Sequence, residues 1–337
     1  MTAPLVFITG ATGFIGSQVV LATLQAGYRV RLSIRHASQE APLRARYPDF
    51  SPQQIETCII PDITPRDAFT PALDGVDHIF HLASPMPGRG SDLQADYIDP
   101  AVKGTESILY SALAFPQIQK VVVMSSVLAL TPLNALREKE VYVTDNTHET
   151  IAIDLPDPVP EGFSGHGLKY SASKVAAHDA TRRFLATQHP TFTLITFHPT
   201  FVLGESLIQT TPKEIGGMNA FFWNTLQAER PGMANAWVDV RDVAAAHVRA
   251  LQREVAPGTE VLLSAPTPGS WERVAELVRR QYPEVGCRLQ GPFERGWTVD
   301  TRTAERVLGM EWRGQDEIVE AVLGQQLALR GAASAAL

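Results

Sequence analysis

A short apolar run, Val6 to Thr9, breaks into three glycines, Gly10, Gly13 and Gly16, and then into a stretch with helix-forming residues. That order of strand, glycine turn and helix admits few folds. Gly10 permits the tight turn, Gly13 lets the backbone approach a pyrophosphate, and Gly16 lets helix and strand pack closely. The helix N-terminus then offers unpaired N–H groups to an anion. The spacing has one residue more between the first two glycines than the G-x-G-x-x-G fingerprint, and its place after the first strand keeps the same mechanism.

The first two hundred residues carry the theme throughout. Apolar runs at Leu5 to Thr9, Arg29 to Ile34, Gln54 to Ile60, Asp77 to Leu82, Lys120 to Ser125 and Phe192 to Phe197 alternate with helix-like segments. Runs of this length without polar alternation belong to strands covered on both faces, which predicts an α/β fold with a doubly wound parallel sheet of the Rossmann kind. Gly27 closes the first helix, Pro190 follows a helix carrying Tyr170, and Pro61 and Pro199 follow strands. After Pro199 the pattern changes, and Phe221, Phe222 and Trp223 form a bulky cluster. The reading is a dinucleotide-binding domain of residues 1–198 plus about 236–264, to which Val261 to Ser264 returns a strand. A smaller, mostly helical substrate lobe takes about 199–235 plus 265–330, and a frayed tail follows from Gly331. Residues 127–168 hold Pro156, Pro158 and Pro160 and read as a long loop forming a pocket wall or lid.

Composition narrows the partners. Twenty-nine basic against thirty-six acidic residues give a net charge of −7 with no basic stripe, which argues against nucleic acid. No apolar run reaches the ~20 residues that span a bilayer, and a core strand from residue 5 leaves no room before it for a secretory signal. Two cysteines, Cys58 and Cys287, lack metal-ligand spacing and fit a reducing compartment. The expectation is a cytoplasmic protein without metal.

Three further features carry chemistry. NAD sites usually place a carboxylate at the end of the second strand, where this chain has Arg35 and no acid before Glu40. A guanidinium suits a ribose 2′-phosphate, so the cofactor read here is NADP(H), although Arg29 and Arg31 mark the strand as generally arginine-rich. The fifth strand delivers Ser125 and Ser126 to the carboxyl end of the sheet, where a hydroxyl can bond a substrate oxygen. Tyr170 and Lys174 stand one helical turn apart. A nearby ammonium stabilises a phenolate and makes the phenol a better proton donor to a carbonyl.

Together these motifs resemble the extended short-chain dehydrogenase/reductases, in particular the branch with dihydroflavonol reductase, cinnamoyl-CoA reductase and fungal aldehyde and methylglyoxal reductases. The likeness runs from Val6 to Leu327, through Thr9 to Gly16, Arg35, Asp62, His81 to Pro85, Lys103 to Thr105, Met124 to Ser126, Tyr170 to Lys174, His198 to Thr200 and Val238 to His247. The resemblance implies Ser126 as the carbonyl-binding serine, with Ser125 as the alternative, Tyr170 as acid, and Lys174 as the group that tunes the phenol and bonds the nicotinamide ribose. It implies cofactor contacts at Gly10, Thr12, Gly13, Phe14, Ile15 and Gly16. Arg35 would meet the 2′-phosphate, Asp62 and Ile63 the adenine, and Leu82, Ala83 and Ser84 would follow the fourth strand. Pro199, Thr200 and Val202 would border the nicotinamide. Ser84, Phe163, Met218, Phe222 and Trp223 are candidates to line a substrate pocket.

The activity expected is NADPH-dependent reduction of a ketone or aldehyde by a monomer or homodimer. A steroid-type dehydrogenase working oxidatively would have the same triad. A non-catalytic dinucleotide sensor commonly lacks the tyrosine or lysine. An epimerase acting on a nucleotide sugar would need cations for a diphosphate, and 204–235 offers only Lys213 and Arg230.

Overall fold

The structure is a computed structural model that describes residues 3–84, 90–138, 140–266, 269–293 and 296–335. The chain opens with β1 (Leu5–Thr9), α1 (Phe14–Gln25), β2 (Arg29–Ile34), α2 (Glu40–Ala45), β3 (Ile55–Ile59) and β4 (His78–His81). It continues with α3 (Asp99–Ala112), β5 (Lys120–Met124), β6 (Val141–Val143), α4 (Gly162–Gln188), β7 (Thr193–Pro199) and β8 (Phe201–Leu203). Then come α5 (Gly217–Leu226), β9 (Trp237–Asp239), α6 (Val240–Gln252), β10 (Glu260–Leu263), α7 (Trp271–Gln281), β11 (Trp297–Val299) and α8 (Gln315–Ala335).

Seven strands form one sheet in the order β10-β7-β5-β4-β1-β2-β3, every neighbouring pair parallel. The strand order reverses direction of travel at β1, where chain and sheet part between β2 and β4, and ligands of open α/β sheets bind at such a crevice. The register, with Val6 opposite both Val30 and His78, brings all the carboxyl ends to one edge.

Both faces of the sheet are covered, which is why the strands read as unbroken apolar runs. Val6 and Ile8 pack with Val19, Val20 and Leu24 of α1 and with Val243 and Ala246 of α6. Phe7, one residue out of phase, enters the opposite core with Ile108, Leu109 and Phe184 of α3 and α4. A third core, built by Phe222, Trp237, Trp271, Leu277 and Ile318 among others, holds α5, α7 and α8 together.

Three details differ from the reading of the sequence. Residues 127–168 are not one loop, since α4 starts at Gly162 and β6 pairs in parallel with β11. A second short pair joins β8 to β9. Three-residue strands give no periodicity to detect, so neither pair was foreseen. The last helix also runs through Gly331 to Ala335, where a frayed tail was expected.

Candidate active site

The glycine turn has the geometry its spacing requires. Gly10 has φ +72°, and a Cβ there would stand 2.9 Å from the backbone N of Ala83. A Cβ on Gly16 would lie 2.1 Å from the carbonyl oxygen of Gly10, so only glycine lets α1 pack onto the turn. Gly13 caps α1 in extended conformation, with its carbonyl accepting from Ser17 at 2.9 Å. Thr12, Phe14 and Ile15 are half-buried around it. Thr9, just before the turn, stitches β1 to the end of β4: its Oγ1 accepts from the N–H groups of Leu82 and Ala83 at 3.1 and 2.9 Å. Having accepted twice, the hydroxyl donates to His81 Nδ1 at 3.0 Å. Burial, reinforced by the charge on Lys174, pushes His81 down to about 3 and keeps it neutral.

The arginines of β2 separate by use. Arg29 and Arg31 both pair with Glu56, and Arg31 also donates to the carbonyls of Ala72 and Asp74. Arg35, exposed at the carboxyl end of the strand, has no side-chain partner among the described residues. Asp62 spends one carboxylate oxygen on the Thr64 backbone N–H and hydroxyl, at 2.9 and 2.8 Å, and the backbone bond leads in holding its pKa below the usual range. Ile63 packs toward α3, close to Gly104.

Helix α4 presents Tyr170 and Lys174 beside this edge. Lys174 is buried, and its ammonium donates to Ser84 Oγ at 2.9 Å and sits 5.3 Å from the centre of the Tyr170 ring. The Tyr170 hydroxyl has no partner among the described residues, and its ring packs against the cluster built by Val127, Leu128 and Trp297. That cluster begins on the turn of Ser126. Ser126 Oγ accepts from the Leu128 N–H at 3.2 Å, which leaves its proton to donate elsewhere. Ser125 diverges: with Lys174, His178 and Ser84 it walls a cavity of about 20 Å³ beneath the helix. Two adjacent serines on an extended segment face opposite ways, and the turn that meets Tyr170 belongs to Ser126.

Pro199 at the end of β7, Thr200 and Val202 are buried, and the backbone N of Thr200 donates to the Leu263 carbonyl at 2.9 Å. The aromatic candidates need correction. Phe222 is completely buried, stacked on Trp271 and edge-on to Trp237, so it is core of the lobe and not a pocket wall. Trp223 is buried as well, under the guanidinium of Arg330. Met218 is half-buried against the same cluster. The side chain of Phe163, in the first turn of α4, lies outside the described residues, as does Pro85.

Sequence reasoning missed a buried polar cluster behind Ser126: His178 on α4, His198 on β7, and Glu260 on β10 gripped by Arg182. Burial alone would raise the Glu260 pKa, but the His178 and Arg182 contacts outweigh it and hold it well below the carboxylate range. The three potential metal donors of this cluster lie within 4.8 Å of one another. Both carboxylate oxygens nevertheless take Arg182, whose permanent charge neutralises Glu260 and opposes a second cation. The spacing of Lys174, His178 and Arg182 at four-residue steps was the available signal. No described helix is long and apolar enough to cross a membrane.

Comparison with known proteins identifies the family and the fold. Residues 6–263 match the model of the NAD dependent epimerase/dehydratase family. The chain is 36% identical over 335 residues to the ketoreductase sphI of Aspergillus fumigatus, covering 97% of this chain and 98% of that protein. It is 30% identical over 351 residues to the ketoreductase CTB6 of Cercospora nicotianae, covering 98% and 96%. Among solved structures it is similar to Gre2 of Candida albicans in complex with NADPH, with TM-score 0.81, 25% identity and coverage of 97% and 99%.

Proposed function

The chain belongs to the NAD dependent epimerase/dehydratase family, and within it we propose an NADPH-dependent reductase that converts a ketone or aldehyde to an alcohol. The observation that carries this reading is one unbroken set of contacts. It runs from the glycine turn through Ala83 and Ser84 to Lys174, across the Tyr170 ring to the turn of Ser126.

The residues present fit a dinucleotide. A Cβ would fill the Gly10 to Gly16 cradle, the α1 N-terminus opens onto it, and Arg35 stands unpaired where a 2′-phosphate would need a cation. When bound, the nicotinamide supplies the hydride. This chain's residues do the rest. Ser126 and Tyr170 donate to the carbonyl oxygen, Tyr170 yields its proton as charge develops there, and Lys174, fixed by Ser84, keeps a positive charge over the phenol. Gly10, Thr12, Gly13, Phe14, Ile15 and Gly16 would hold the pyrophosphate side, and Pro199, Thr200 and Val202 the nicotinamide side.

Nucleotide-sugar chemistry is the weaker reading. Arg230 donates to the carbonyls of Gln290 and Pro292, so Lys213 alone in 204–235 remains to meet a diphosphate. The test is a panel of aldehydes, α-dicarbonyls, β-keto esters and aryl ketones assayed by loss of NADPH absorbance. Turnover of at least one class is expected, and none across the panel would contradict the reading.

A further inference from the structure

The buried polar cluster behind Ser126 has no part in the chemistry above, yet it touches both elements that carry it. His198 is fully buried on β7, with Nδ1 3.0 Å from the backbone oxygen of Ser126. A carbonyl only accepts, so Nδ1 must carry the proton. Burial, then the neighbouring His178, pushes His198 down to about 3, which leaves the ring neutral and this tautomer in place. The same oxygen accepts from the Ala129 N–H at 3.0 Å, so two donors fix its direction.

From His198 the cluster reaches the helix. The His178 ring stands edge-on to it, with centres 4.5 Å apart and planes at 83°. His178 is one turn past Lys174, and its Nε2 lies 3.1 Å from Glu260 Oε1. Arg182, a further turn on, donates to both Glu260 oxygens at 2.6 and 2.8 Å. Glu260 is anchored in turn by its backbone, which exchanges hydrogen bonds with the Asn146 side chain at 2.8 and 3.0 Å. The turn of Ser126 is thereby pinned to β7, α4 is pinned to β10, and the two pins meet at the pair of imidazoles.

We infer that His198 is a positioning residue: its Nδ1–H holds the Ser126 carbonyl and, through contact with His178 and the Glu260–Arg182 pair, sets the serine's turn against the helix bearing Tyr170 and Lys174. The inference rests on Ser126 being the serine that binds the carbonyl oxygen. Its consequence is geometric. Acyl or carbonyl chemistry depends on sub-ångström placement of donors, and a displacement of about 1 Å is enough to cost a factor of ~10² in rate.

Two substitutions separate this role from mere packing. Asparagine places an amide N–H near the position of Nδ1, whereas glutamine carries its donor one carbon farther, near Nε2. His198→Asn is expected to keep kcat within about threefold, and His198→Gln to lose roughly tenfold or more, with KM for NADPH unchanged in both. Hydrogen exchange supplies a readout that needs no turnover: the amides of Val127 to Ala129 should exchange faster in the Gln variant and at the parent rate in the Asn variant. Glu260→Gln, which loosens the far end of the cluster, should lower kcat about threefold without moving KM for NADPH, should the Gln variant fail to fold. Equal kcat in the Asn and Gln variants, or a Gln variant whose 127–129 amides stay fully protected, would overturn the inference. Faster exchange in the His198→Gln variant of a protein whose parent form reduces no carbonyl would leave the hold of His198 on the turn intact and remove the proposed activity instead.

Discussion

The turn at Gly10 to Gly16 and the helix α5 each carry conspicuous residues, and they use them in opposite ways. In the turn, what matters is the absent side chain: a Cβ at position 16 would press into the backbone of position 10. No neighbouring rearrangement can relieve a clash with backbone, so the glycines mean one thing. In α5, Phe222 and Trp223 are large apolar side chains that would suit a substrate wall or a core equally well, and packing against Trp237 and Trp271 decided for core. Backbone demands are therefore specific in a sequence, while apolar volume is not.

Substitutions at the two regions sharpen this contrast. The largest effect belongs to Gly16→Val, which should abolish measurable NADPH binding by fluorescence; binding near the parent affinity would mean the turn does not hold the nucleotide. Phe222→Ala should cost about 3–5 kcal/mol in denaturant unfolding, as cavity formation in a core does, with substrate KM nearly unchanged. A large KM effect with stability intact would restore Phe222 to the pocket. Arg35→Ala should raise KM for NADPH about tenfold, close to 1.4 kcal/mol, and leave KM for NADH as it was. Equal effects on both cofactors would show that Arg35 reads no phosphate.

The last effect is a slope with pH. His78, His81, His198 and His247 are pushed down to about 4, 3, 3 and 4, in each case chiefly by burial. Their stability contribution is complete above the unfolded value near 6.5 and is lost as pH falls toward 3, because the unfolded chain takes up protons that the fold excludes. Tm should be flat from pH 7 to 8 and decline steadily as the pH falls from about 6.5 to 4. A flat Tm across the acid range would contradict burial of these rings as neutral groups.

Much of the fold was legible for the same reason as the glycines. Strands such as Leu5–Thr9 and Lys120–Met124 are covered on both faces, so their central residues, Val6 to Ile8 and Val121 to Val123, are all apolar and the run stands out. Tyr170 and Lys174 were legible because four-residue spacing on a helix is a geometric statement. Arg35 was ambiguous beside Arg29 and Arg31; Glu56 claims those two and leaves Arg35 without a side-chain partner among the described residues. The pairs β6–β11 and β8–β9 were not legible, since three residues carry no period and their partners lie far along the chain. Nor was the choice between Ser125 and Ser126, which rests on which way each faces at the end of β5.

The most direct test of the account is Tyr170→Phe, a substitution that removes one oxygen and keeps the ring packed on its cluster. Carbonyl reduction by NADPH should fall by about 10²–10⁴-fold, the usual contribution of a positioned general acid, while NADPH still binds. Turnover equal to that of the parent protein would contradict the assignment of the Tyr170 hydroxyl as the proton donor, and with it the reading of this site as a carbonyl reductase.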